Sequence, residues 1–205
     1  MKRVILENAA KRYTGAYIFR DVNLEFAGPG VLCLCGPNGS GKTTLLHVMC
    51  GLLRPTRGRA VIDDGGAQQP PARLRRTFGI QAPGIVMYPE LTVKENIEFV
   101  LTMRGVAWSA SRADALIERL GLAPAADRPA AALSSGMRQK LALIAALAHE
   151  PDAVFLDEPT SFLDAAGRAE VGGIIRERRA NALFVIATND AEERSWGDSI
   201  FELGR

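Results

Sequence analysis

The 205-residue chain predicts an α/β fold built on a mostly parallel sheet, and three observations carry that prediction. Short β-like runs alternate with helical patterns along much of the chain. Several of these runs are almost continuously apolar, as strands covered on both faces require. One of them feeds directly into a glycine-rich loop and then an apolar helix. Composition agrees, since 47% hydrophobic and 23% charged residues belong to the globular class and exclude a disordered, collagenous or disulfide-scaffold chain. A chain of this length buries about 70% of the surface its unfolded form exposes, enough for one core, so residues 1–205 are expected to form a single domain.

In order, β-like runs fall at residues 3–7, 22–26, 31–34, 60–62, 153–156, 182–187 and 199–203, and helical patterns at 42–53, 92–104, 109–120, 136–148 and 165–179. The alternation breaks between residues 83 and 150, where helical patterns follow one another around an Ala-Pro-rich segment at 123–132. This stretch is expected to be an all-helical subdomain inserted into the α/β core. Cys33, Cys35 and Cys50 lie in apolar runs with only His47 and His149 as histidines, which points to buried structural thiols rather than a disulfide or metal framework. The 25 basic and 23 acidic residues leave a net charge of +2, too little field to make nucleic acid a main partner. Glu7 interrupts the N-terminus before an apolar stretch reaches the ~7 to 15 residues of a signal peptide. The run at 141–148 is far below the ~18 residues a membrane span needs.

The apolar run at 31–35 leads into Gly36-Pro37-Asn38-Gly39-Ser40-Gly41-Lys42-Thr43-Thr44, a G-x-x-x-x-G-K-[ST] loop between strand and helix. Its glycines allow positive φ and close backbone approach, so that successive N–H groups and a helix N-terminus converge on an anion. Lys42 is expected to reach the β and γ phosphates and Thr43 to place its hydroxyl on Mg²⁺. A carboxylate at the end of a neighbouring strand is also needed, and Asp157 follows the apolar run 153–156. Side-chain alternation would turn Asp157 toward the metal and Glu158 toward the γ-phosphate side as base or water-orienting group. Upstream, Leu133-Ser134-Ser135-Gly136-Met137 opens a helix with two serines and a glycine, a second anion-ready N-terminus.

Together these motifs resemble the ATP-binding cassette (ABC) family over nearly the whole chain. Residues 133–137 look like its L-S-G-G-Q signature, 154–160 like its Walker B with the following Pro-Thr, and Ser161-Phe162-Leu163-Asp164 like its D-loop. Tyr13 matches the aromatic on which the family stacks adenine. Residues 79–99 resemble its transmission loop and the opening of its helical subdomain. The resemblance implies a P-loop NTPase core with a mostly parallel sheet, an inserted all-helical subdomain and an N-terminal antiparallel β portion. It also implies a head-to-tail dimer, with the homodimer expected, in which each MgATP lies between one subunit's loop and the other's Ser134, Ser135 and Gly136, with Asp164 nearby. A membrane-spanning permease would be the further partner, holding the chain on the cytoplasmic side of the cell membrane.

Three motifs depart from the family pattern. Ser135 stands for a glycine and Met137 for a glutamine. Pro83 stands where the transmission-loop glutamine is expected, with Gln81 two residues earlier as its substitute near the metal. Asn189 stands where the switch histidine is expected, and it can donate a hydrogen bond but cannot carry a proton. These departures predict a slow ATPase and leave a regulatory nucleotide-binding module as the alternative. A soluble DNA-repair or ribosome cassette would be expected to bring tandem cassettes, zinc modules or long heptads, and the chain carries one P-loop, no C-x-x-C pair and no heptad run. Residues 82–92, 136–141, 161–164 and 187–190 further resemble the ATP-binding subunit of the haem exporter of cytochrome c maturation.

Overall fold

The computed structural model describes residues 2–106 and 110–204. The chain builds two sheets. The first is antiparallel in the order β2-β1-β4-β5 and is formed by β1 (Arg3–Tyr13), β2 (Ala16–Ala27), β4 (Arg57–Asp63) and β5 (Gln68–Gln69). The second is parallel in the order β6-β7-β8-β3-β9, formed by β3 (Gly30–Cys35), β6 (Gly79–Gln81), β7 (Ala153–Asp157), β8 (Leu183–Thr188) and β9 (Ser199–Glu202). The antiparallel portion expected at the N-terminus is thus completed by β4 and β5.

Seven helices run through the described residues: α1 (Lys42–Met49), α2 (Pro71–Leu74), α3 (Val93–Met103), α4 (Ala110–Arg119), α5 (Ser135–Leu147), α6 (Ala165–Arg178) and α7 (Ala191–Arg194). Residue 109, where a helix was expected to begin, lies outside the described residues. The helical pattern at 42–53 ends early, at Met49, because Gly51 turns left-handed with φ 78°. The start of α3 is set by a capping box: Thr92 Oγ1 accepts from Glu95 N at 3.2 Å and Glu95 returns the bond to Thr92 N at 2.8 Å. Between Pro83 and Glu150 the described residues hold α3, α4 and α5 with short 3₁₀ turns and one isolated bridge, Thr92 to Pro129.

The parallel sheet is buried on both faces, which explains its unbroken apolar strands. Val31, Cys33, Val154, Leu156, Phe184 and Ile186 join a core shared with α3, α4, α5 and α6. Their neighbours in sequence, Leu32, Leu34, Phe155, Val185 and Ala187, join a second core with α1 and the antiparallel sheet. The three cysteines are free and buried, and burial pushes the Cys33 thiol up to about 12. Two strands carry little sequence signal: β6 has three residues and β5 has two, too short for alternation to register.

Phe155 is fully buried and packs against Phe78 at 5.2 Å between ring centroids. Phe155→Ala should cost about 3–5 kcal/mol in chemical denaturation. Where α3 ends, the Arg104 guanidinium donates to His149 Nε2 at 2.9 Å and to the carbonyls of Arg76 and Phe78. Burial, aided by that cation, pushes the His149 imidazole down to about 4 from 6.5, so the folded protein holds it neutral. As the pH falls from about 6.5 to 4 the unfolded chain takes up this proton first, and stability drops. His149→Gln keeps an acceptor for Arg104 and should flatten that part of the stability profile, read by urea titration across the window.

Candidate nucleotide site

The site is assembled along one edge of the parallel sheet. The ladder pairs Cys35 with Thr188, Asp157 with Ala187 and Gln81 with Leu156, so four strands end nearly in line. The residues that follow these ends carry the chemistry, as expected for ligands at the carboxyl edge of a parallel sheet. β8 lies between β3 and β7, so Asp157 sits one strand farther from the glycine loop than the neighbouring-strand expectation had it.

From β3 the chain enters the loop at Gly36. Pro37, Asn38 and Gly39 are exposed and Ser40 is buried. Gly41 caps α1 with φ 100°, and a Cβ there would lie 2.5 Å from the Ile18 side chain, so both conformation and space demand glycine. Lys42 is 7% exposed, and its Nζ donates to the carbonyls of Gly36 at 2.8 Å and Pro37 at 3.1 Å, folding the cation over its own loop. Thr43 and Thr44, in the first turn of α1, are half-buried.

Thr43, Gln81, Asp157 and Glu158 line one cleft of about 810 Å³, together with Ser135 and Gln139 from α5. Asp157 is 6% exposed, and burial pushes its carboxyl up while a hydrogen bond from Thr43 pulls it down. Gln81, 6% exposed at the end of β6, reaches the same cleft, whereas Pro83 follows it on the rim. Among the described residues, Ser40 Oγ, Gln81 Oε1 and Asp157 Oδ2 are buried with no hydrogen-bond partner. Leaving such atoms dry and unpaired costs about 1–3 kcal/mol each, so those of Gln81 and Asp157 suit the cleft to a polar ligand.

Glu158 lies just past β7 with φ 44°, so its direction comes from a left-handed turn and not from strand alternation. Its backbone N–H donates to Ala187 O at 2.9 Å, and Oε2 accepts from Ser161 Oγ at 3.2 Å. Asn189, exposed after β8, donates through Nδ2 to Asn38 Oδ1 at 2.6 Å, tying its loop to the glycine loop.

Of the remaining candidates, Ser134, Gly136, Asp164 and Tyr13 stand apart from the cleft, which Ser135 lines. Ser134 is exposed and caps α5, its Oγ accepting from Met137 N at 3.3 Å. Ser135 opens the helix and is not among the left-handed residues, so its Cβ is carried without strain. Gly136 is required by contact, since a Cβ there would lie 2.7 Å from Phe162 O. Asp164 caps α6 by accepting from Gly167 N at 2.9 Å. Tyr13 ends β1, 44% exposed, with the Lys11 ammonium 5.1 Å from its ring centroid, and it lines neither this cleft nor the smaller cavity beside Asn189. Two residues that the motif reading passed over bind the Glu158 turn. Gln139 Nε2 donates to the carbonyls of Glu158 at 3.1 Å and Pro159 at 3.0 Å, and Glu193 accepts from Thr160. Nothing in their local sequence separates them from ordinary helix residues.

Comparison with known proteins gives the same picture. The family model for ABC transporters matches residues 19–161. The chain is 34% identical over 199 residues to the ergothioneine transport ATP-binding protein EgtV of Helicobacter pylori, covering 94% of this chain and 93% of that protein. It is 33% identical to the daunorubicin resistance ATP-binding protein DrrA3 of Streptomyces coeruleorubidus, covering 98% of this chain and 66% of that one. The fold superposes on the dimeric, post-hydrolysis structure of the ATP-binding cassette MJ0796 bound to ADP and Pi with a TM-score of 0.87 and 26% identity, over 98% of this chain and 94% of that chain. The chain therefore belongs to the ABC transporter family, as an ATP-binding cassette ATPase.

Proposed function

We propose that this cassette binds MgATP on the Gly36–Thr44 loop and hydrolyses it slowly to drive a separate membrane-spanning permease. The observation that carries this reading is the pair of buried, unpartnered oxygens of Gln81 and Asp157 in the cleft that Thr43 also lines, a donor set suited to a hard cation and its water shell. Lys42 and the loop N–H groups take the phosphates, and Thr43, Asp157 and Gln81 hold the magnesium. The metal supplies charge neutralisation on the phosphate oxygens. Glu158 orients the attacking water and takes its proton, Asn189 donates to the γ-phosphate, and Tyr13 stacks the adenine on its exposed ring.

Ser134 is open to solvent, so Ser134, Ser135 and Gly136, with Asp164, are free to meet the nucleotide of a second copy in a head-to-tail homodimer. ATP would then hold the closed pair together and hydrolysis would release it. We read residues 83–150 as the helical subdomain that passes this motion to the permease, which keeps the chain at the cytoplasmic face of the membrane. No helix among the described residues is long and apolar enough to span a bilayer, so the membrane passage is assigned to the partner. The haem-export reading rests on the loop sequences alone, and the relatives named above are titled for ergothioneine and daunorubicin resistance. We place cargo choice on the permease.

The direct test is nucleotide binding and turnover. Glu158→Gln should retain MgATP affinity, lose phosphate release and elute as an ATP-dependent dimer in size-exclusion chromatography, while Lys42→Ala should bind no MgATP by calorimetry. A well-folded wild-type chain that takes up no MgATP would overturn the reading. The Asn189 contact with Asn38 favours slow turnover, because one of the two N–H donors of the Asn189 amide is engaged within the site and the side chain cannot carry a proton. A missing transition-state donor costs on the order of a hundredfold in rate, so Asn189→His should raise steady-state turnover by about tenfold or more. An unchanged rate with intact ATP binding would remove Asn189 as the limiting group.

A further inference from the structure

We propose that Glu193 is a positioning residue for hydrolysis, a buried clamp that fixes the turn bearing Glu158 to the loop bearing Asn189. This rests on the assignment of Glu158 as the hydrolytic carboxylate. Glu193 is 1% exposed, although it lies in a four-residue surface helix among charged neighbours. One oxygen, Oε1, accepts two bonds from a single residue across the site, from Thr160 N at 2.8 Å and Thr160 Oγ1 at 2.5 Å. The other, Oε2, has no partner among the described residues. A carboxylate placed in the interior at such cost does more than fill space, because a leucine or methionine there would avoid the desolvation.

What the clamp joins is specific. Thr160 lies two residues after Glu158, in a turn whose carbonyls at Glu158 and Pro159 are gripped from the other side by Gln139 of α5. Ser161 in the same turn donates to the Glu158 carboxylate. On its own side, Glu193 is anchored by Asp190, whose Oδ1 accepts from the N–H groups of Glu192 at 2.8 Å and Glu193 at 3.2 Å. Asp190 Oδ2 accepts from Arg168 of α6 at 2.8 Å, and the Asp190 N–H donates to Thr188 Oγ1 at 2.9 Å. Asn189 is therefore bracketed between two residues whose hydrogen bonds are fully specified. Backbone contact between the two loops is otherwise the single bond from Glu158 N to Ala187 O among the described residues. Removing the clamp frees Glu158 and Asn189 to drift relative to each other by the ångström or so that a positioned water does not tolerate.

Because Glu193 touches neither the glycine loop nor the metal donors, the effect should fall on the chemical step. Glu193→Ala should lower kcat at least tenfold while the MgATP dissociation constant stays within about twofold. Glu193→Gln keeps an Oε1 acceptor for both Thr160 bonds and should retain kcat within about threefold. Thr160→Val removes only the hydroxyl donor, should lower kcat in the same direction, and should add little on top of Glu193→Ala. Folding of each variant is checked by thermal unfolding. A folded Glu193→Ala enzyme with unchanged kcat overturns the proposal, as does a loss of ATP affinity that parallels the loss of rate, or a Glu193→Gln variant as slow as the alanine. If Glu193→Ala fails to fold, the decision passes to Thr160→Val and Glu193→Gln. A wild-type chain without turnover overturns this inference and the hydrolytic reading together, whereas normal wild-type turnover with an indifferent Glu193→Ala overturns this inference alone.

Discussion

The site depends on the common edge at which β6, β7, β8 and β3 end. In a parallel ladder every strand presents its carboxyl end on the same side, so side chains distant in sequence arrive at one line with no further device. Register does the rest: the partners of Cys35, Asp157 and Gln81 in the ladder are fixed residue by residue. A slip of one residue in β7 would turn Asp157 into the core and bring Leu156 to the cleft. The two-sided core opposes such a slip, since Leu156 and Phe155 are committed to opposite apolar clusters.

That same edge concentrates polar groups where the dielectric is low. Asp157, Gln81, Ser40 and Lys42 are all buried or nearly so, and three of them keep an atom without a partner. Unpaired polar atoms are costly where the dielectric is low, so a charged, hydrated ligand at this edge would relieve them. Lys42 shows the complementary solution, neutralising the loop carbonyls of Gly36 and Pro37 with its own ammonium.

Around the cleft, a second layer of contacts sets directions. Glu158 points as it does because residue 158 takes a left-handed turn, and the turn is held by Gln139, Ser161 and Glu193 rather than by the strand. Gly136 answers the same need from the other side, giving way to the Phe162 carbonyl where the segment after β7 crosses the start of α5. The Glu158 carboxylate, proposed to be catalytic, is thus embedded in a junction of α5, α7 and the strand ends, and its placement depends on all three.

Much of this was legible along the chain, for reasons that are local. The strand, glycine loop and helix at 31–49 are contiguous, and so are the apolar run and carboxylates at 153–158, so spacing alone links them to phosphate and metal. Serine and aspartate caps at Ser134 and Asp164 are likewise short-range signals, and both stand where the helices begin. Gln81 was identified only as an early substitute, and its place in the cleft came from the short strand β6, which leaves almost no trace in three residues. The insertion of β8 between β3 and β7, the left-handed Glu158 and the pairing of Glu193 with Thr160 at a separation of 33 residues had no sequence signature. Strand order and long-range hydrogen bonds are settled by how the two apolar faces of the sheet are covered, a property of the packed molecule that no single segment contains.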